Sequence, residues 1–459
     1  MPQRFDAIII GSGQAGPALA GRLTGAAMSV AFIEREHFGG TCVNDGCIPT
    51  KTLVASAQAA FVTRRHLDFG VTIGGPIGVD MRAVKARKDA IVEESVEGLT
   101  RWVTGMPGLR VYWGQAHFNA PHRVEVGGEE LESEKIFINV GGRAFVPDWP
   151  GLSSVPYLTN TSMMAVDFLP EHLIVVGGSY IGLEFAQMYR RFGSRVTVIE
   201  MAPRLIARED EDVSDAVQDI LAREGIEFRL NAKCIGANRN QRGVTVSADC
   251  AEGAPQVDGS HLLLAVGRRP NTEDLRLHEA GIECDARGFI KVDDQLRTNV
   301  PGVWALGDVN GRGAFTHTSW NDYEIVAANL LDGDHRSVDD RIPAYALYVD
   351  PPLARVGLTE REVRASGRPA LIGKMPMTRV GRARERGETL GFMKIVVDAK
   401  SQQIVGASLL GLNGDEVVHL IIDVMAAKAP YTVISRAMHI HPTVAELIPT
   451  LLQGLKPLQ

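Results

Sequence analysis

Cysteine is scarce, with five residues among 459. That is too few for the disulfide framework that staples small secreted domains. Long apolar runs are missing as well, none approaching the roughly 18 residues that a membrane span needs. The opening MPQRFDAIIIG turns at once into a buried-strand pattern, which leaves no room for a signal peptide. A cytoplasmic protein is expected, and in that reducing compartment a disulfide is more often catalytic than structural. Charge of one sign is also in short supply. A net charge of -7 with 22% charged residues excludes a disordered acidic chain and a dedicated nucleic-acid binder.

Glycine is what the sequence has in excess, 48 residues, against the ~7% of an average protein. No Gly-X-Y period runs through them, so collagen is excluded. At roughly 150 residues per domain the chain should hold about three domains. The glycines mark a repeat. Phe5 to Gly16 reads FDAIIIGSGQAG, an apolar run and then Gly11, Gly13 and Gly16. The helical PALAGRL and a second strand, SVAFIE, follow and end at Glu34. From Leu173 the plan recurs as LIVVGGSYIG, the helical LEFAQMYRRFG, and RVTVIE ending at Glu200. Gly11 to Glu34 and Gly177 to Glu200 are both 23 residues, the span of a βαβ unit whose acid reaches a ribose. Two such units, each with its glutamate, predict two dinucleotide sites. Glycine lets the backbone approach a pyrophosphate, and the helix that follows offers it free N–H donors. In the second copy Gly177, Gly178 and Gly182 are present, but Ser179 takes the middle glycine position, a mild steric compromise.

The rest divides by texture. Residues 65–140 combine a helical stretch (MRAVKARKDAIVEESVEGLTRWV) with short strands (RVEVGG, KIFINVGG), and residues 290–308 run to a strand and a Gly-Asp turn, VWALGD. Beyond Asp334, strands (YALYVD, FMKIVVDA, IVGASLLG) precede helices (DEVVHLIIDVMAAKA, VAELIPTLL). This predicts a third, α+β domain with a half-buried sheet and exposed polar faces.

Between the first βαβ unit and its continuation lies GGTCVNDGCIPTK, residues 39–51. Cys42 and Cys47 precede an Ala-rich helix, LVASAQAAF. A helix N-terminus lowers a thiol pKa, and two thiols this close can cycle between dithiol and disulfide. Spacing alone leaves two other readings open, a pair of buried cysteines or half of a metal site near His37. Zinc prefers shorter Cys-to-Cys spacing and four ligands.

This segment resembles the active-site signature of the pyridine nucleotide-disulfide oxidoreductases, the family of dihydrolipoamide dehydrogenase, glutathione reductase and mercuric reductase. The resemblance covers essentially the whole chain, through the opening glycines, LLLAVGRRPNT (262–272), TNVPGVWALGD (298–308), FTH (315–317) and HIHPTVAE (439–446). It implies an α/β fold with two Rossmann-type dinucleotide-binding domains, for FAD and NAD(P), plus a C-terminal α+β dimerisation domain. The implied boundaries are 1–148 for the first part of the FAD-binding domain and 149–272 for the NAD(P)-binding domain. Residues 273–340 continue the FAD-binding domain and a central region, and 341–459 form the dimerisation domain.

The same resemblance implies the site. Cys42 and Cys47 form the redox pair, with Cys47 on the flavin side and Cys42 facing substrate. Gly11, Gly13, Gly16 and Glu34 hold the FAD pyrophosphate and adenosine ribose, Thr41 and Lys51 approach the flavin, and Asp308 binds its ribityl chain. Lys51 pairs with Glu184 beside the flavin, where a cation stabilises the charge of the reduced ring. Gly177, Gly178, Gly182, Glu200 and Gly267 belong to the NAD(P) site, and Tyr180 lids the flavin until nicotinamide displaces it. His441, oriented by Glu446, reaches across a homodimer interface as acid-base for Cys42. Glu200 favours NADH, because a 2′-phosphate would be repelled, while Arg204 is near enough in sequence to leave NADPH open. No resident metal, nucleic acid or membrane partner is expected.

The implied enzyme passes electrons from NAD(P)H through FAD to a Cys42–Cys47 disulfide and on to a small-molecule or ionic acceptor. The chain ends LLQGLKPLQ without the cysteine pair of mercuric reductases and keeps His441, which disfavours mercuric reduction. Trp320 and Asn321 replace small residues common in lipoamide dehydrogenases, which disfavours a bulky lipoyl substrate. The expected branch is that of the bacterial flavoproteins of reactive-chlorine defence, with acceptors such as hypothiocyanite or Cu(II). A lipoamide-type dehydrogenase, a low-molecular-weight disulfide reductase and a flavin redox sensor with little turnover are the alternatives. Lys374, Arg379, Arg382, Arg384 and Arg386, interleaved with Glu385 and Glu388, are read as a solvated surface.

Overall fold

Three successive isoleucines make Ala7–Ile10 a strand buried on both faces, as in a parallel sheet covered by helices. In the computed structural model, which describes residues 1–249 and 253–458, it is the middle of a five-stranded sheet. Across that sheet run Val303–Ala305, Ile136–Ile138, Ala7–Ile10, Val30–Glu34 and Leu109–Trp113, every neighbour parallel. A strand near residue 304 thus completes a sheet begun at residue 7. The second repeat builds its own parallel sheet in the order Glu227–Arg229, Arg195–Ile199, His172–Val176, His261–Leu264. Helices Ala15–Gly25 and Tyr180–Phe192 start directly after the two glycine turns. Each can do so because a Cβ on Gly16 or Gly182 would strike the carbonyl oxygen of Gly11 or Gly177. Arg268–Pro270 pairs antiparallel with Gly142–Ala144 and ties the two units together.

The third layer is a six-stranded antiparallel sheet, in the order Ala344–Leu347, Leu353–Gly357, Ile404–Leu410, Phe392–Asp398, Ala370–Pro376, Lys456–Pro457. Helices Gly414–Ala426 and Leu447–Gln453 pack on its apolar face. The opposite face is polar but not solvated, which corrects the expectation of an exposed polar surface. Lys394 is 1% exposed and bonds Asp212 at 2.7 Å, Asp210 at 3.0 Å and Glu360 at 3.1 Å. The cause is that the loop after Glu200 and the starts of helices Glu211–Arg223 and Glu360–Ala365 bring Glu209, Asp210, Asp212 and Glu360 onto this face, where they neutralise Lys394 and Arg355. Burial of such charges is tolerable only when they are paired. Among the described residues, no helix is long and apolar enough to cross a membrane. Cys250 lies outside the described residues.

Candidate active site

A cavity of about 1300 Å³ opens between the first two units and the third layer. Its walls bring together Gly11, Gly13, Glu34, Thr41, Cys42, Cys47, Lys51, Tyr180, Glu184 and Asp308. Gly177, Gly178, Gly182, Glu200 and Gly267 lie outside those walls, in the second glycine turn and at the end of its sheet. His441 and Glu446 lie outside them too.

The first cradle is organised around a buried acid. Glu34 accepts the backbone N–H and hydroxyl of Ser12 at 2.9 and 2.5 Å, and the N–H groups of Arg35 and Glu36 at 2.7 and 2.9 Å. Asn139, after the strand Ile136–Ile138, donates to the Gly13 carbonyl at 3.0 Å. A Cβ on Gly13 would lie 3.2 Å from that Asn139 amide. The second cradle repeats the plan. Glu200 accepts the N–H groups of Gly178 at 2.6 Å and Ala202 at 2.7 Å. Here Ala265 follows the corresponding strand and packs on Gly177 as Asn139 packs on Gly11. The smaller side chain leaves room for Ser179, whose φ of -111° suits any residue. The steric compromise expected at Ser179 is therefore relieved by its neighbour. Arg204 is engaged by Asp215 and, at 3.4 Å, by Glu211.

The two cysteines sit on successive helices. Cys42 lies in the short helix Gly40–Asn44, and Cys47 is the first residue of Cys47–Arg64. Cys47 Sγ is 3.1 Å from Thr316 Oγ1, and Thr316 is itself the first residue of the helix Thr316–Ala327. Their acidities diverge. The hydrogen bond from Cys42 brings the Cys47 thiol down to about 6 against the pull of burial, with Thr316 and Lys51 helping. Cys42 is held far above the usual thiol range, first by the same bond and then by burial. The pair stores one proton on Cys42 and one negative charge on Cys47. Lys51, one turn along from Cys47, bonds Glu184 at 2.9 Å. Glu184 is buried and also accepts the Tyr348 N–H at 3.0 Å, while the Lys51 ammonium lies 4.5 Å from the Tyr348 ring centroid.

Other wall residues are fixed by contacts that span the chain. Asp308 faces Arg268 at 3.3 Å, and burial raises its pKa. The Tyr180 ring meets Phe315 and Tyr345 edge-on, with centroids 6.1 and 5.4 Å away. Burial pushes the Tyr180 phenol up to about 12. Gly267, at φ 127°, turns the chain from the second sheet towards Arg268. Trp320 lines the cavity, 43% exposed, and donates to Glu324. On the third layer, His441 Nδ1 is 2.8 and 3.0 Å from the two Glu446 oxygens. The ring itself is 79% exposed. Arg382, from the basic cluster, clamps the Pro442 carbonyl at 2.7 and 3.2 Å and so fixes the turn that carries His441. Lys374 of the same cluster bonds Asp212. Sequence reasoning missed Thr316, Arg268, Tyr345 and Asn139 as site residues. Thr316 and Arg268 lay inside the family motifs FTH and LLLAVGRRPNT, and Asn139 and Tyr345 inside the strand segments KIFINVGG and YALYVD, the only signal that could have found them.

The description pyridine nucleotide-disulphide oxidoreductase matches residues 5–322, and that family's dimerisation domain matches residues 343–452. The chain belongs to the pyridine nucleotide-disulfide oxidoreductases. It is 38% identical to the probable pyridine nucleotide-disulfide oxidoreductase RclA of Escherichia coli, over 99% of this chain and 100% of that protein. It is 33% identical to a dihydrolipoyl dehydrogenase of Cupriavidus necator, over 98% and 97%. Among solved structures it is similar to a Cu(II) complex of the HOCl-induced flavoprotein disulfide reductase RclA from Escherichia coli. That likeness has a TM-score of 0.90 at 37% identity and covers 99% of each chain.

Enzymes of this family depend on FAD and use a pyridine nucleotide. The first cradle of this oxidoreductase fits FAD. Its glycine turn has no room for side chains, its acid is buried and pre-oriented by four donors, and the cavity beyond it runs on to the thiols.

Proposed function

We propose that this oxidoreductase takes electrons from NADH, uses them to open a Cys42–Cys47 disulfide, and delivers them to a small oxidant or a metal ion such as Cu(II). The observation that carries this reading is the unequal pair of thiols on the wall of the cavity, Cys47 acidified to about 6 and Cys42 held protonated. Gly11, Gly13, Gly16 and Glu34 would hold the FAD pyrophosphate and adenosine ribose, with Asp308, Thr41 and Lys51 towards its other end. When bound, FAD supplies a two-electron carrier between nucleotide and disulfide. The rest of the work is done by the chain.

Opening the disulfide takes up two electrons and one proton, leaving a Cys47 thiolate and a Cys42 thiol. Lys51, held by Glu184, presents its ammonium group to Cys47 and favours the thiolate there. Closing it again releases two electrons and the Cys42 proton, which reduces two Cu(II) to two Cu(I). His441 is the base for that proton: Glu446 holds its Nδ1, which leaves Nε2 as the atom to take the proton. The ring stands outside the cavity, flanked by Ile440 and Met438, which are among the most exposed apolar side chains. A second copy of the chain packed on this dimerisation domain would cover them and bring His441 to its neighbour's Cys42. Gly177, Gly178, Gly182, Gly267 and Glu200 would hold the nucleotide, with Tyr180 as the lid that nicotinamide displaces. Arg204 is engaged by Glu211 and Asp215 rather than held ready for a 2′-phosphate, which supports NADH.

The Escherichia coli neighbour described as a Cu(II) complex supports the metal-ion acceptor. Steady-state NADH oxidation with Cu(II), hypothiocyanite, lipoamide, glutathione disulfide and Hg(II) tests the reading. Cys42-dependent turnover with Cu(II) or hypothiocyanite, well above that with lipoamide, is expected. Faster turnover with lipoamide would make the protein a lipoamide-type dehydrogenase. Reduction by NADH without turnover on any acceptor would make it a redox sensor.

A further inference from the structure

Tyr180, Tyr345 and Glu209 come from three distant stretches and meet beside the cavity. The strand Ala344–Leu347 places Tyr345 between two rings: it stacks on Phe315 at 5.5 Å and takes the edge of Tyr180 at 5.4 Å. Its hydroxyl donates to Glu209 Oε1 at 2.6 Å. Glu209 is buried, with its other oxygen 3.9 Å from the Arg355 guanidinium. A side chain so enclosed cannot drift, so the ring bonded to it is fixed as well.

Glu209 also ends the loop that follows Glu200. Its N–H bonds the Ile206 carbonyl at 2.8 Å, and the Ile206 N–H bonds the Gly178 carbonyl at 2.9 Å. Ile206 has φ 41°, a left-handed conformation that a β-branched residue adopts only where its surroundings impose it. The second glycine turn is thereby joined through a strained loop to the carboxylate that holds Tyr345.

We propose that Tyr345 and Glu209 are positioning residues that hold Tyr180 against the cavity and set how readily nicotinamide displaces it. The inference rests on the reading of Tyr180 as a lid. A lid that must open reduces apparent affinity by the fraction of open molecules. Removing the Tyr345 hydroxyl lets that ring yield, so the open fraction rises. ADP-ribose has the adenosine and pyrophosphate of NADH but no nicotinamide, and it binds without moving the lid.

The test uses the FAD-loaded protein with Tyr345→Phe and, separately, Glu209→Gln, so that either variant decides if the other fails to fold. Two quantities are read: the NADH concentration giving half-maximal reduction in anaerobic stopped flow, and the inhibition constant of ADP-ribose. Loss of one hydrogen bond should lower the first about threefold or more and leave the second unchanged. In a Tyr180→Ala background the same substitutions should have no further effect. Parallel shifts of both constants, no shift of either, or an effect that persists without Tyr180 would overturn the proposal. Failure of the lid reading itself looks different: Tyr180→Ala alone would leave the NADH concentration for half-maximal reduction unchanged.

Discussion

Cys47 Sγ lies 3.1 Å from Thr316 Oγ1, and each residue opens a helix, so two helix N-termini converge on one sulfur. The positive ends of both helix dipoles and the Thr316 hydroxyl favour the thiolate over the thiol. A hydrogen bond to a charged acceptor is worth about 1.5–3 kcal/mol, or about one to two pKa units. Because the Cys47 pKa is depressed, removing a stabilising donor must raise it. In the reduced protein, alkylation of Cys47 by iodoacetamide should titrate with a midpoint near 6. In Thr316→Val that midpoint should climb by about one unit. An unmoved midpoint would mean that the Thr316 hydroxyl contributes nothing to the acidity.

What could be read from the sequence was what the local chain geometry dictates. The 23-residue separation of Gly11 from Glu34, and of Gly177 from Glu200, is the length of one βαβ turn, so both cradles were legible. Thr316 was not, because it reaches Cys47 from 269 residues away and only the fold brings them together. Tyr345 and Glu209, 136 residues apart, are hidden for the same reason. The polar side of the third sheet misled for a different one. Lys394, Arg355 and Ser408 alternate with apolar residues as they would on a solvated face. Nothing in their own strands reveals that Asp210 and Asp212 come over to bury them.

Glu200 should decide between the two nucleotides. If it holds the ribose as proposed, replacing it with Ala would remove a charge-assisted bond, about 1.5–3 kcal/mol or tenfold and more in affinity. The KM for NADH should rise by that factor, while NADPH, relieved of repulsion at its 2′-phosphate, should lose much less. Steady-state KM values for both nucleotides check this. Equal losses would assign the carboxylate to holding Gly178 and Ala202 alone.

Complementation tests His441 acting from a second subunit. Cys42→Ser and His441→Ala chains should each be inactive in cysteine-dependent turnover. Mixed and allowed to exchange subunits, half of the dimers are hybrids, and in each hybrid one site lacks both groups while the other keeps both. Activity should recover to about a quarter of wild type in a statistical mixture of two-fold dimers. With exchange shown by mass spectrometry of tagged chains, no recovery would place His441 at its own chain's cysteines.

The most direct measurement counts thiols. The FAD-loaded protein, oxidised and kept without oxygen, is given NADH in excess and then alkylated under denaturing conditions, with the labelled cysteines located by mass spectrometry. The account predicts about two new thiols per chain, at Cys42 and Cys47 and nowhere else, and none when either is replaced by Ser. NADH that is consumed while Cys42 and Cys47 gain no label would contradict it, because the electrons would then reach the acceptor without passing through the sulfur pair.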